Sequence, residues 1–107
     1  MCIRDSLSVA QNFQVILTEN VTHFVVTNIP SDSSAFTLAI SQDASGSRTA
    51  DLDDLRTTGG SSITVNWPGG GVLPIVTPTP NRTDIYTYKT FDGGGNFYAV
   101  TVGQNFN

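Results

Sequence analysis

Apolar and polar residues alternate with a period of two along most of this chain, and no stretch longer than about ten residues keeps a helical period. The clearest alternation runs from Ala35 to Ser41, with Phe36, Leu38 and Ile40 on one face and Ala35, Thr37, Ala39 and Ser41 on the other. Phe13, Val15 and Leu17 alternate in the same way, as do Ile63, Val65 and Trp67 against Ser62, Thr64 and Asn66. Val21 to Ile29 is β-branched and aromatic, apolar on both faces, and closed by Pro30, the pattern of an internal strand. Asp84 to Phe91 and Asn96 to Val102 read as two further strands. Asp92-Gly93-Gly94-Gly95 joins them as a hairpin loop whose glycines tolerate positive φ. Turn residues recur at Glu19-Asn20, Pro30 to Ser34, Asp43 to Ser47, Thr57 to Ser61, Pro68 to Gly71 and Pro78 to Asn81. Short strands at this spacing predict an all-β chain, an antiparallel sandwich or open barrel, and the fold expected is an antiparallel β-sandwich or jelly-roll-like module. One segment breaks the rhythm: Ala50 to Thr57 carries its acids early and Arg56 late, which suits a helix dipole and predicts one or two helical turns.

Composition narrows the functional classes. The 107 residues make one domain, and only 13% are charged, about half of what a typical soluble domain carries. Thr, Ser, Asn and Gly replace the missing charges and suit the solvated face of a sheet. The net charge is −4, and the basic residues Arg4, Arg48, Arg56, Arg82 and Lys89 are scattered, so no nucleic-acid partner is expected. No apolar run approaches the ~18 residues of a membrane-spanning helix, and no membrane insertion is expected. The single cysteine, Cys2, excludes an internal disulfide.

Residues Met1 to Ser6 read MCIRDS, and the codons for that string match the end of a transposase-based sequencing adapter read in frame. The expectation is that residues 1-6 are adapter translated with metagenomic reads, that they fit no strand, and that 7-107 is the all-β C-terminal end of a longer protein.

Candidate chemistry is sparse. His23, the only histidine, lies inside the internal strand, and no G-x-S-x-G context surrounds any serine, so it reads as structural. Asp51, Asp53 and Asp54 form the one acidic cluster. They are weak candidates for calcium, because they lack the EF-hand spacing, and they read first as a charged turn or helix start, so no metal is expected. Nothing selects a pair of carboxylates for glycoside hydrolysis. The glycine runs lack the P-loop lysine and the dinucleotide spacing, so no cofactor is expected, and the chain reads as non-enzymatic. Asn20-Val21-Thr22 and Asn81-Arg82-Thr83 match the N-glycosylation acceptor, which matters only in a eukaryotic secretory setting. Trp67, Tyr86, Tyr88, Phe97 and Tyr98 cluster in the C-terminal half. Trp67, Tyr86, Tyr88 and Tyr98 are the candidates for ligand binding, because exposed aromatics bury area at low entropic cost; the competing reading places them in the core, Trp67 first.

An ordered set of strings spans Phe13 to Asn107. It runs Gln42-Asp43-Ala44-Ser45-Gly46-Ser47-Arg48-Thr49, then Trp67-Pro68-Gly69-Gly70, then Pro74 and Thr77-Pro78-Thr79. Asp84-Ile85-Tyr86-Thr87-Tyr88, Asp92-Gly93-Gly94, Phe97-Tyr98 and Gly103-Gln104-Asn105 follow. This order resembles a module found at the C-terminal end of tail-fibre and other virion structural proteins of marine and environmental bacteriophages. In that family a QDxTGxR-T strand end precedes a W-P-G-G turn, a threonine-rich proline segment, a D-[IV]-[YFL]-T-[FY] strand and a D-G-G-x-[WF]-[YF] hairpin. The chain departs from it in a longer acidic connection from Ala50 to Ser62, in Asn96 before the aromatic pair, and in one extra glycine at Gly69 to Gly71. The resemblance implies a virion component at a fibre or spike tip, outside the cell, homotrimeric, structural and adhesive, with a host cell-surface glycan or protein as partner. It carries no catalytic residues over. From another class, the alternative is a carbohydrate-binding module of a secreted bacterial enzyme, which would stack sugars on a coplanar row of exposed Tyr86, Tyr88 and Tyr98. A brick with no ligand is the third.

The alternation predicts that Phe36, Leu38 and Ile40 line the core. Phe36→Ala should cost about 3–5 kcal/mol, a large part of the stability of a small domain, and a urea melt reads that directly.

Overall fold

The computed structural model describes the backbone of residues 2–6 and all of residues 12–27, 33–57, 59–93 and 95–107. The chain is all-β. Its strands are β1 (Cys2–Ser6), β2 (Asn12–Leu17), β3 (His23–Thr27), β4 (Ser34–Gln42), β5 (Leu55–Arg56), β6 (Ser62–Asn66), β7 (Thr83–Thr90) and β8 (Asn96–Phe106). They form one sheet in the order β1-β3-β5-β6-β8-β7-β4-β2, curled into a half-barrel. The curl turns at β6, where Ser62 and Ile63 pair with β5 while Thr64 to Asn66 pair with β8. The β1-β3-β5 half and the β8-β7-β4-β2 half therefore share one core.

The sheet is mixed rather than wholly antiparallel. Antiparallel pairing holds for β4–β7, β7–β8 and β5–β6, whereas β1–β3, β3–β5, β2–β4 and β6–β8 are parallel. The reason lies in the connections. From β1 to β5 each strand is followed by one in the opposite half, so strands two apart in sequence become neighbours running the same way. Among the described residues two connections are in-plane hairpins. One is Thr57 to Ser61, closed by Thr57 N–H donating to Ser61 O and Gly60 N–H to Thr57 O. The other is the loop around Asp92, of which Gly94 lies outside the described residues.

Alternation decides burial as expected. Phe36, Leu38 and Ile40 are buried, and so are Leu17, Ile63, Tyr86, Tyr88 and Phe97. Phe36 stacks on Tyr88 with centroids 4.9 Å apart, and meets Phe97 edge-on at 5.7 Å and Phe13 at 6.1 Å. Trp67 closes the cluster edge-on to Tyr88 at 5.8 Å. Such offset and edge-on pairs add about 0.5–1.5 kcal/mol beyond the area they bury. The space left between the two halves, beside Phe13, Phe24, Leu38 and Leu55, is only about 10 Å³. That is room for about one water, so the core is closely packed there. Phe24, Val25 and Val26 of β3 are all buried, as an internal strand requires. β3 is shorter than the run from Val21 to Ile29: Val21 makes an isolated parallel bridge with Ala50, and residues 28 to 32 lie outside the described residues.

Two expectations are corrected. Ala50 to Thr57 is not helical. Leu52 and Asp53 form a turn and Leu55–Arg56 is a strand, because Leu52 and Leu55 both insert into the core and β5 bridges β3 to β6. Residues 2–6 do fit a strand: β1 lies parallel to β3, with Cys2 opposite His23 and Ser6 opposite Thr27. Whatever the origin of the codons, that backbone covers the edge of β3. Deleting residues 1–6 should therefore lower the melting temperature by several degrees, since a bared buried strand loses its ladder partners on one side; scanning calorimetry on the shortened chain checks this.

Candidate functional site

Residues 67 to 82 link β6 to β7 without entering the sheet. Trp67 to Gly71 makes a tight turn, with Gly71 N–H donating to Trp67 O and Val72 N–H to Pro68 O, and with Gly69 and Gly70 at positive φ. Beyond it, Val72 to Pro80 runs as an irregular strap, and prolines at 74, 78 and 80 keep it out of any ladder. Its backbone polar groups must find partners elsewhere, and side chains from other elements supply them, Asp84 and Gln42 from buried positions and Gln104 from an exposed one. Asp84 Oδ2 accepts from Thr77 N–H at 2.7 Å, and Gln42 Nε2 donates to Thr77 O at 2.9 Å. Gln104 Nε2 donates to Ile75 O at 2.7 Å.

The turn after β4 is built to hold the far end of this strap. Gln42 binds the backbone of Arg48 both ways, Nε2 donating to its O at 2.7 Å and Oε1 accepting from its N–H at 3.0 Å. Asp43 Oδ1 accepts from Ser45 and Gly46 N–H, and its Oδ2 pairs with Arg48 Nη2 at 3.1 Å. The Arg48 guanidinium, with the Gly46 and Ser45 amides, holds the Asp43 carboxyl below the ordinary carboxylate range. Ser47 N–H then donates to Pro78 O at 2.7 Å. Gly46 has φ +68, and a Cβ there would lie 2.7 Å from Pro78 O and 2.8 Å from the Pro80 ring, so only glycine lets turn and strap meet.

Asp84 is the centre of the arrangement. Burial pushes its carboxyl up, yet the result is a pKa lowered from 3.8, because the amides of Thr77 and Asn105 and the side chains of Thr77 and Tyr86 favour the charged form. Asn105 N–H donates to Oδ1 at 2.8 Å, Tyr86 Oη–H to Oδ2 at 2.9 Å, and Gln104 Nε2 lies 3.3 Å from Oδ2. One carboxylate thus ties the strap, β7 and the end of β8 together. Burial and the neighbouring Asp84 charge push the Tyr86 phenol well up, partly offset by the Gln104 hydrogen bond, so it stays a donor.

Fastened from below, the strap turns apolar side chains outward. Val72, Leu73 and Ile75 are exposed, Ile75 to 84%, and no residue from Pro68 to Asn81 is charged. Leu73 separates two open hollows. One, of about 630 Å³, is bordered by Asn20, Thr22, Thr49, Asp51, Ile75 and Val76; the other, of about 500 Å³, by Asp53, Asn66, Trp67 and Gly70. Both fall in the size range of small-ligand sites.

The residues singled out from sequence are placed differently. Tyr86, Tyr88 and Trp67 are buried and cannot stack a sugar; Tyr88 Oη–H donates to Leu52 O at 2.9 Å and Trp67 Nε1–H to Asp53 Oδ1 at 3.0 Å. Tyr86 and Tyr88 point inward because they share the face of Phe36 and Phe97 in the sheet, and Trp67, just past the end of β6, packs edge-on to Tyr88. Tyr98 alone of the four is exposed, on the opposite face, beside Phe91. The expected coplanar row is therefore absent. Asp51, Asp53 and Asp54 do not converge: Asp51 Oδ1 accepts from Asp53 N–H, Asp53 binds Trp67, and Asp54 pairs with Arg56 at 2.9 Å, which holds its carboxyl below the ordinary range. Among the described residues no group of three His, Cys, Asp or Glu side chains comes together to hold a metal. His23 Nδ1 lies 3.1 Å from Thr22 Oγ1. The sequence reading missed Gln42, Asp84 and Gln104 as fasteners, and Val72, Leu73 and Ile75 as a surface. The available signals were a carboxylate at an inward position of a strand, and an apolar run interrupted by Pro74 where no strand can form.

Compared with family models, curated proteins and solved structures, the chain matches none.

Because the Asp84 pKa is lower folded than unfolded, its contribution is complete above the ordinary 3.8 and is lost as pH falls through the folded value. Asp84→Asn should cost about 2–4 kcal/mol at pH 7 by leaving charge-assisted donors without their acceptor. Its urea stability should also fall less steeply than the parent's between pH 5 and pH 2, since Asp43, Asp54 and Asp92 remain in both. Equal slopes would show that Asp84 does not bear the load.

Proposed function

We propose that this chain is a structural and adhesive domain of a bacteriophage tail fibre or spike, carried on the virion outside the cell, that acts without catalysis. It works as a homotrimer and touches a host cell-surface glycan or protein through the strap. The observation that carries this reading is the use to which the recurring strings are put. Gln42, Asp43, Gly46 and Arg48 hold one end of the strap; Asp84, Tyr86 and Gln104 hold its middle; Trp67 packs at its start. Their joint product is an uncharged loop with a fixed backbone and outward Val72, Leu73 and Ile75, flanked by hollows bearing amides, hydroxyls and carboxylates. A loop held in advance loses little entropy on contact, and several copies on one fibre multiply a weak contact into a firm one. The carbohydrate-binding module of a secreted enzyme is less well supported, because the aromatic row it needs is in the core.

Beads displaying many copies of the chain should adsorb to some cells in a panel of environmental bacteria. Ile75→Asp, a change at an exposed site, should reduce adsorption at least about tenfold with an unchanged melting temperature. Equal adsorption by both places the contact elsewhere. A parent that binds no cell and no glycan on an array removes adhesion from the reading.

A further inference from the structure

The outer face of the sheet is as uneven in polarity as the strap. Along β8, Phe97 and Ala99 point into the core, while Tyr98 (53% exposed), Val100 (48%) and Val102 (59%) point out. Phe91, 61% exposed at the end of the hairpin, extends the stripe, its ring 5.9 Å from that of Tyr98. Four large apolar side chains in a row make a patch of on the order of 400–500 Å², as large as the biggest patch on an ordinary monomer. Its neighbours are small and neutral. Thr87 lies opposite Val100 and Thr37 opposite Thr87, the two threonine hydroxyls 3.3 Å apart; Ala35 follows Lys89 in the row of Tyr98, and Ala39 stands opposite Ile85. A standard contact of about 800 Å² a side is reached by including these positions.

Charge decides what fits there. Among the described residues Lys89 is the one ionic side chain on the face, and its Nζ rests 5.2 Å from the centre of the Phe91 ring. The carboxylates of Glu19, Asp43, Asp51, Asp53 and Asp54 lie in connections, and Asp84 points inward. Asp92, at the rim, is tied back by Asn96, whose backbone and side chain donate to it and lower its pKa to about 2. A basic partner would be drawn to the Asp51 to Asp54 turn instead. An anionic membrane would meet a single cation on a chain of net charge −4. For two copies of this acidic chain, by contrast, the described part of this face lets them meet without setting carboxylate against carboxylate, and its one cation, Lys89, has a long stem that can keep the charged head in water.

We propose that the outer face of β7–β8, centred on Tyr98, Val100 and Val102, is where one copy of the chain packs against another. The inference rests on the fibre reading for its context and supplies that reading's missing subunit contact. It also gives Tyr98 a role that no sugar platform provides, and leaves the strap free to face outward.

The test is sedimentation velocity and light scattering of the full chain from micromolar to millimolar concentration. The parent should self-associate. Val100→Asp should weaken association at least about tenfold, because each copy would bury a carboxylate, while Ile75→Asp on the strap should associate like the parent. Should Val100→Asp lose its melting transition, Val102→Lys, at a more exposed position, reads the same face. A parent that stays monomeric throughout, or face variants that associate like the parent, overturns the proposal. A monomeric parent that still adsorbs to cells through the strap defeats this inference alone. A chain that associates through this face yet adsorbs to nothing defeats the host-contact reading alone.

Discussion

A buried carboxylate with neutral partners holds this fold at the point where the sheet cannot hold itself. Asp84 sits on an inward position of β7 and accepts hydrogen bonds from the strap, from the end of β8 and from its own strand neighbour Tyr86. Removing such a charge from water is costly, and directed donors are what keep it ionised. The need for it follows from the topology. Connections that leave the plane of a sheet carry backbone amides and carbonyls that no ladder satisfies. Here Asp84, Gln42 and Gln104 take the place of the missing strand.

The same logic runs through the other connections. Tyr88 and Trp67 place their rings in the core and use their polar tips on Leu52 and Asp53, so the aromatic cluster also fixes the acidic turn. Asp43 folds the turn after β4 around its own carboxylate. The strings on which the resemblance rests are thus mostly fasteners. A resemblance built from them speaks first to the way loops are pinned on a curled sheet, and to function through what those pinned loops display.

What they display divides into two surfaces of different make. The strap is irregular, uncharged and flanked by polar hollows, which suits contact with a partner of a different kind. The outer face of β7–β8 is largely apolar and bordered mostly by small neutral side chains, which suits a repeat of itself. A low-charge, threonine-rich chain is compatible with both, since neither contact then requires stripping water from ions.

Period-two alternation was enough to determine the all-β class, the inward face of β4 and the hairpin between β7 and β8, because burial on one face of a strand leaves a direct mark on residue order. The same alternation says nothing of which strand is whose neighbour. Turn residues mark where the chain bends, but an in-plane hairpin and an arch to the opposite half of the sheet use similar residues, so the parallel pairs of β1–β3–β5 and β2–β4 were decided only in three dimensions. The segment from Ala50 to Thr57 carried a helix-like charge order, and tertiary packing overrode it by burying Leu52 and Leu55. Tyr86 and Tyr88 were legible as aromatics with polar tips, but not as core or surface: that depended on the partners their face would meet. The strap was the least legible part, because its conformation is dictated by Gln42, Asp84 and Gln104, residues from three other places in the chain whose convergence exists only once the sheet has curled.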